Sequence, residues 1–222
     1  MSKGIRVILT GATGMVGEGV LHECLKNHDI EQVLVVGRKL SGMDHPKLTE
    51  IVHPDFFDLS PIENKLTNYD ACLFCLGTSS INKKEKEFYR LTYTLTLHFA
   101  TTLSKLNSGM TFCYISGAGT DSSENGRAMW ARVKGKTEND LMKLPFKQVY
   151  NFRPGYIQPT KGLKNAHGFY QFVDWMYPVF KSTLSKYVCT LTELGLAMIH
   201  AATKGYKKQI IEVKDIVELS KS

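Results

Sequence analysis

Eight residues near the start of the chain, Thr10 to Gly17 (TGATGMVG), constrain what it can fold into more than any other stretch. The apolar run Ile5 to Leu9 stops at three glycines spaced Gly11-x-x-Gly14-x-x-Gly17, after which Val16, Val20 and Leu21 fall at helical spacing. That pattern predicts strand, tight turn and helix. A glycine-rich turn entering a helix gathers unpaired backbone N–H groups and the positive end of the helix dipole at one point, which suits a pyrophosphate. By analogy with the dinucleotide fingerprint, Gly11 makes the turn, Gly14 admits the phosphates to the backbone and Gly17 brings the helix onto its strand. Gly11, Thr13, Gly14, Met15, Val16 and Gly17 are therefore candidate cofactor contacts. An ordinary glycine-rich loop is the alternative, and the flanking strand and helix patterns weigh against it.

The second strand, Gln32 to Val36, ends in Gly37-Arg38-Lys39, where an acid would normally hold the adenosine ribose hydroxyls of NAD. No Asp or Glu stands there, and an arginine at that place can pair with a 2′-phosphate, so NADP is the expected cofactor, bound through Arg38 and Lys39. The alternative is a basic residue in a turn. A third strand, Leu48 to His53, leads to Asp55-Phe56, and a fourth, Tyr69 to Leu76, leads to Gly77-Thr78. Ligands of parallel sheets lie beyond the strands' carboxyl ends, which puts Asp55 and Phe56 by the adenine and Leu76, Gly77 and Thr78 further along the dinucleotide.

Phe88, Leu91, Leu95, Phe99, Leu103 and Leu106 mark one apolar face of a long helix from about 85 to 106, with His98 beside it as a hydrogen-bonded packing residue. No second histidine stands at metal-binding spacing with it, and no metal is expected. A fifth strand, Met110 to Ser116, precedes a loop and a helix from about 123 to 144. Ser116 at the strand end and Lys134 in the helix could both reach a nicotinamide ribose and a carbonyl. Phe146 to Phe152 is a sixth strand. Pro154 and Gly155 follow it as further cofactor contacts, and there the alternation of strands and helices ceases. The aromatic stretch Phe169 to Phe180 covers something: a pocket as a lid, a dimer face, a membrane surface, or simply the core. A helix from 191 to 202, a last strand from 209 to 213 and a short charged tail complete the expectation.

One domain of 222 residues is expected, with residues 154–190 forming a small lid or substrate region. The formal charge of +7 raises nucleic acid as a partner, but the lysines lie among acids, so the charge is read as attraction for a phosphorylated cofactor. Five cysteines make an odd set; Cys72-x-x-Cys75 lies inside a strand pattern, so reduced, buried thiols are expected rather than a zinc or redox pair. With no signal-peptide pattern and no apolar stretch of membrane-spanning length, a cytoplasmic protein without an integral membrane segment is expected.

The ordered set TGATGMVG, GRK, CLGT, ISGAG, VKGKTE and FRPGYI resembles the extended or atypical branch of the short-chain dehydrogenase/reductases, within the superfamily that includes the NAD-dependent epimerases and dehydratases. The similarity covers nearly the whole chain. It is nearest to the small NADP-binding group related to the HIV-Tat-interactive, oxidoreductase-like protein. The resemblance implies an α/β Rossmann fold with a doubly wound parallel sheet, and catalysis by serine, tyrosine and lysine, the last two spaced Tyr-x-x-x-Lys. Lys134 matches the lysine and Ser116 resembles the serine, with Gly117 a competing alignment, but Trp130 occupies the tyrosine's position. An indole N–H donates a hydrogen bond and has no accessible pKa for handing over a proton.

Two functions fit these residues. One is a non-catalytic NADP-binding module whose cofactor state controls a regulatory protein partner; the other is an NADPH-dependent reductase of a small carbonyl compound with a surrogate acid such as Tyr156 or Tyr114. Trp130 favours the first. A monomer or homodimer suits either, and the short span after Pro154 disfavours a nucleotide-sugar epimerase.

Overall fold

The computed structural model describes residues 4–165 and 187–222. In chain order the described elements are β1 (Ile5–Thr10), α1 (Met15–Lys26), β2 (Ile30–Gly37), β3 (Leu48–Val52), β4 (Ala71–Phe74), α2 (Glu85–Tyr89), α3 (Leu95–Leu106) and β5 (Thr111–Ile115). There follow α4 (Met129–Leu141), β6 (Gln148–Arg153), β7 (Tyr156–Gln158), β8 (Val188–Thr190), α5 (Leu191–Lys204), β9 (Ile210–Glu212) and α6 (Val213–Leu219).

Seven strands form one sheet in the order β3-β2-β1-β4-β5-β6-β9, and every neighbouring pair is parallel. This is the doubly wound α/β architecture expected, with β1 and β4 side by side where the strand order reverses. The middle of the sheet is apolar, with Val7 to Leu9 of β1 and all of β4 buried, because both faces are covered. Val7 and Leu9 face a core layer shared with Val20, Leu194 and Met198, while Ile8 faces the layer containing Phe74, Phe99 and Phe112. On the first side α1 and α5 meet at glycine: a Cβ on Gly19 would stand 2.2 Å from the Leu191 side chain. A capping box starts α5, with Thr190 accepting the Glu193 N–H at 3.0 Å and the Glu193 carboxylate accepting the Thr190 N–H at 2.7 Å.

Several boundaries differ from the sequence expectations. The helix expected from about 85 to 106 runs unbroken over those residues, with a π-helical stretch, Arg90–Thr94, between α2 and α3; Phe88, Leu95, Phe99 and Leu103 are buried, and Leu91 and Leu106 partly so. The helix expected from 123 begins at Met129. Asp121 holds the intervening loop instead, accepting the N–H groups of Ser123 at 3.0 Å and Gly126 at 2.6 Å. Tyr156–Gln158 and Val188–Thr190 pair as a small parallel sheet that the sequence did not suggest, and the charged tail is the helix α6, with Val213, Ile216 and Leu219 buried. The aromatic stretch Phe169 to Phe180, and most of the proposed lid region, lie outside the described residues. No described helix is long and apolar enough to cross a membrane.

Candidate functional site

The turn after β1 shows why glycine stands at two of its three positions. Gly11 has φ +76°, and a Cβ on it would lie 2.7 Å from the carbonyl carbon of Cys75, just past β4. A Cβ on Gly17 would lie 2.1 Å from the Gly11 carbonyl oxygen, so glycine lets α1 start directly on the turn. At Gly14, the N-cap of α1, a Cβ would meet only that same oxygen at an ordinary 3.5 Å. The fold itself does not require glycine there; a ligand pressed against the turn would.

Two hollows open at the carboxyl ends of the strands. One, of about 670 Å³, is lined by Gly11, Thr13, Arg38, Lys39 and Lys164 among others; the second, of about 380 Å³, is lined by Asp55, Phe57, Gly77, Thr78 and Leu95 among others. Arg38, Phe56 and Leu76 line both, which makes them one continuous groove from the glycine turn across the ends of β2, β3 and β4. The structure thus gathers Gly11, Thr13, Arg38, Lys39, Asp55, Phe56, Leu76, Gly77 and Thr78 in one place. Met15 and Val16 turn their side chains onto the core, leaving only their backbone toward the turn. Among the described residues no carboxylate pairs with Arg38, Lys39 or Lys164.

Beyond β5 a second cluster forms. The Lys134 ammonium, on α4, donates to the Ser116 carbonyl oxygen and lies 3.9 Å from where a Cβ on Gly117 would be. Burial pushes its pKa down to about 8, against the opposing pull of the Glu138 carboxylate one turn along. The Ser116 side chain is turned inward: the residue is 4% exposed, and its hydroxyl lies 2.5 Å from Glu138 Oε1 and 3.0 Å from the Phe152 carbonyl oxygen, which share its one hydrogen. Glu138 is fully buried and takes two hydrogen bonds from the Arg153 guanidinium, at 3.0 and 2.5 Å. Arg153 also donates to Ser122 Oγ at 2.6 Å and to Glu212 at 3.3 Å. This network ties α4 to the ends of β5, β6 and β9.

Trp130 stands one turn before Lys134 on α4, its ring edge 3.4 Å from a Cβ position on Gly119. The Pro154 carbonyl accepts the Ala118 N–H at 2.8 Å, so that chain flanks the loop after β5. Gly155 has a packing reason of its own, since a Cβ there would lie 2.2 Å from the Tyr187 carbonyl oxygen. Tyr114 cannot be the surrogate acid in this fold: it is 2% exposed beside Phe74, and burial raises its pKa further. Tyr156, on β7, is half-buried. The five cysteines are free thiols, all but Cys75 buried outright. His98 departs from expectation, because its buried Nε2 has no hydrogen-bond partner among the described residues.

Lys134 has a measurable consequence in the free protein. An unfolded lysine keeps its proton to about 10.5, whereas the folded one releases it near 8, so the unfolded state binds more protons between these values and this group's contribution to stability rises with pH across that window. Lys134→Met should flatten that segment of the stability profile in urea unfolding from pH 7.5 to 10.5.

The Glu138–Arg153 pair was not legible, as the residues are far apart in sequence; the only signal was Glu138 falling four positions after Lys134 on one helix face. Lys164 carried no signal at all.

No family model matches the chain. It is 25% identical over 171 residues to "Protein FMP52, mitochondrial" of Meyerozyma guilliermondii, covering 75% of this chain and 70% of the relative. It is 30% identical over 152 residues to "Protein FMP52-2, mitochondrial" of Scheffersomyces stipitis, covering 67% and 65%. HTATIP2 of Rattus norvegicus is 26% identical over 153 residues, covering 68% and 62%, so the match spans slightly under two thirds of the latter two relatives. The FMP52 relatives are named mitochondrial, which overturns the expectation of a cytoplasmic protein. Among solved structures, ADP-L-glycero-D-manno-heptose-6-epimerase of Helicobacter pylori superposes with a TM-score of 0.68 at 14% identity, covering 99% of this chain and 82% of that one. A short-chain dehydrogenase of Burkholderia cenocepacia in complex with NADP gives 0.67 at 14% identity, covering 97% and 92%. The epimerase likeness is one of fold. The chain thus has the Rossmann fold of these solved structures and is similar in sequence to FMP52 and HTATIP2, a likeness consistent with the atypical branch of the short-chain dehydrogenase/reductases.

Proposed function

We propose that the chain binds NADP(H) in the groove at the carboxyl ends of β1 to β4 and has weak or no ordinary carbonyl reductase activity, its cofactor state serving a regulatory role. The observation that carries the cofactor reading is the pairing of a glycine turn with Arg38 and Lys39 at the end of β2, a strand end that carries no carboxylate of its own to bind a free ribose diol. In this reading the N-terminus of α1 would hold the pyrophosphate, Asp55 and Phe56 the adenine, and Lys134 the nicotinamide ribose. When bound, the cofactor would supply hydride chemistry. The chain's own residues orient it, and Trp130 stands where a proton donor would be needed. Residues 154–190 would carry substrate or partner selection, within what we take to be a single domain, and mitochondrial localisation is the reading we adopt from the names of the FMP52 relatives.

Cofactor choice is the readiest test. A charge-assisted contact to a phosphate is worth about 1.5 to 3 kcal/mol, so Arg38→Ala should weaken NADPH by roughly tenfold or more and barely change NADH, as measured by titration calorimetry. Equal losses for both cofactors would remove Arg38 from the 2′-phosphate. The active reductase remains a second reading, favoured by the retained Lys134 and by the half-buried Tyr156 as a surrogate donor.

A further inference from the structure

Lys164 lies far from the glycine turn in sequence yet lines the same hollow as Gly11, Arg38 and Lys39. Its ammonium reaches over the chain between β2 and β3, 3.9 Å from where a Cβ on Gly42 would be. The backbone that delivers it is pinned. Glu18 Oε1 accepts the Lys164 N–H at 2.8 Å and Glu18 Oε2 accepts the Asn165 N–H at 2.7 Å, so one carboxylate holds two successive amides. Glu18 is 7% exposed and follows Gly17 directly in the first turn of α1. Leu163 packs onto the core on the same side. The main chain is therefore fixed while the Lys164 side chain stays exposed at the groove.

We infer that Lys164 is a specificity-determining residue, the third cation, with Arg38 and Lys39, of a receptor for the 2′-phosphate of NADP(H), and that Glu18 is the residue that positions it. The inference rests on the NADP(H) reading above. Three cations lining one hollow without a carboxylate partner among the described residues repel one another, and a phosphate monoester carrying about −1.5 to −2 charges relieves that repulsion where a neutral ribose diol does not. The pyrophosphate has its own donors at the start of α1, which leaves the cations at the end of β2 for a separate phosphate. Glu18 would repel a phosphate if it faced the groove, but its two oxygens accept the Lys164 and Asn165 N–H groups, which take up its charge.

The test is calorimetric titration of the full chain and of Lys164→Met, Arg38→Met and Glu18→Gln with NADPH and NADH, using adenosine 2′,5′-bisphosphate and 5′-AMP as probes that lack the nicotinamide. Lys164→Met should weaken NADPH and the 2′,5′-bisphosphate about three- to tenfold, less as salt is raised, and leave NADH and 5′-AMP unchanged. Glu18→Gln, which keeps the lysine but loosens its backbone, should shift the same ratio in the same direction. If Arg38→Met loses the NADPH preference and Lys164→Met keeps it, the inference is overturned while the NADP(H) reading stands. If Lys164→Met weakens NADPH and NADH alike, Lys164 touches a part common to both cofactors and its assignment to the 2′-phosphate is wrong. An unmodified protein without any preference for NADPH would overturn the cofactor reading and this inference together.

Discussion

Glu138→Ala should destabilise the protein by about 3 to 5 kcal/mol, measured as a lowered urea midpoint with unchanged slope. Glu138 is fully buried, and it is the principal partner of a guanidinium whose side chain is only 10% exposed. Removing the carboxylate leaves Arg153 with the Ser122 hydroxyl and the half-exposed Glu212, and leaves the Ser116 hydroxyl with one carbonyl. The cost is that of an uncompensated buried charge rather than the net worth of the pair, so Glu138→Ala combined with Arg153→Met should recover a large part of the loss. A single-variant loss below about 1 kcal/mol would mean that water or a rearranged Glu212 satisfies Arg153 and that the network is not what holds α4 to the strand ends. That attachment bears on function, because α4 carries both Lys134 and Trp130.

Trp130→Tyr should create or raise NADPH-dependent carbonyl reduction by about 10²- to 10⁴-fold, the usual contribution of a positioned general acid. Residues 130 and 134 are one helical turn apart on α4, so a phenol at 130 would share a face with the Lys134 ammonium. The neighbouring ammonium, with its own pKa drawn down to about 8, would favour the phenolate and so ease proton release. The measurement is NADPH oxidation over a broad panel of aldehydes and ketones, beside cofactor titrations of the same variants, so that lost binding is told apart from lost chemistry. Ordinary turnover by the unmodified protein, unaffected by Trp130→Tyr, would sink the non-catalytic reading and turn attention to Tyr156.

Much of the sheet was legible because its inner strands carry short apolar runs buried on both faces, such as Val7 to Leu9 and Ala71 to Phe74. Thr10 to Gly17 was legible for a further reason: two of its glycines answer to contacts within a few residues or at the neighbouring strand end. What was not legible depended on pairings distant in sequence. Nothing near Arg153 names Glu138 as its partner, and nothing near Lys164 names Glu18. The start of α4 is not legible because Asp121 and Ser123 satisfy backbone groups locally, which competes with helix in a stretch whose composition permits either. The helix α6 was hidden by its brevity, since Val213, Ile216 and Leu219 supply only two apolar steps among charges. Ser116 stands at a strand end, which is what makes it a candidate. Its hydroxyl, however, went to the buried carboxylate, which a strand-end position does not disclose.

The central claim is that this groove is built for a dinucleotide carrying a 2′-phosphate, and titration of the unmodified protein with NADPH and with NADH under one low-salt buffer tests it most directly. The account predicts that NADPH binds tighter by about tenfold or more, the difference shrinking as salt is raised because it arises from a phosphate meeting exposed cations. Equal affinity for the two cofactors, or tighter binding of NADH, would contradict it.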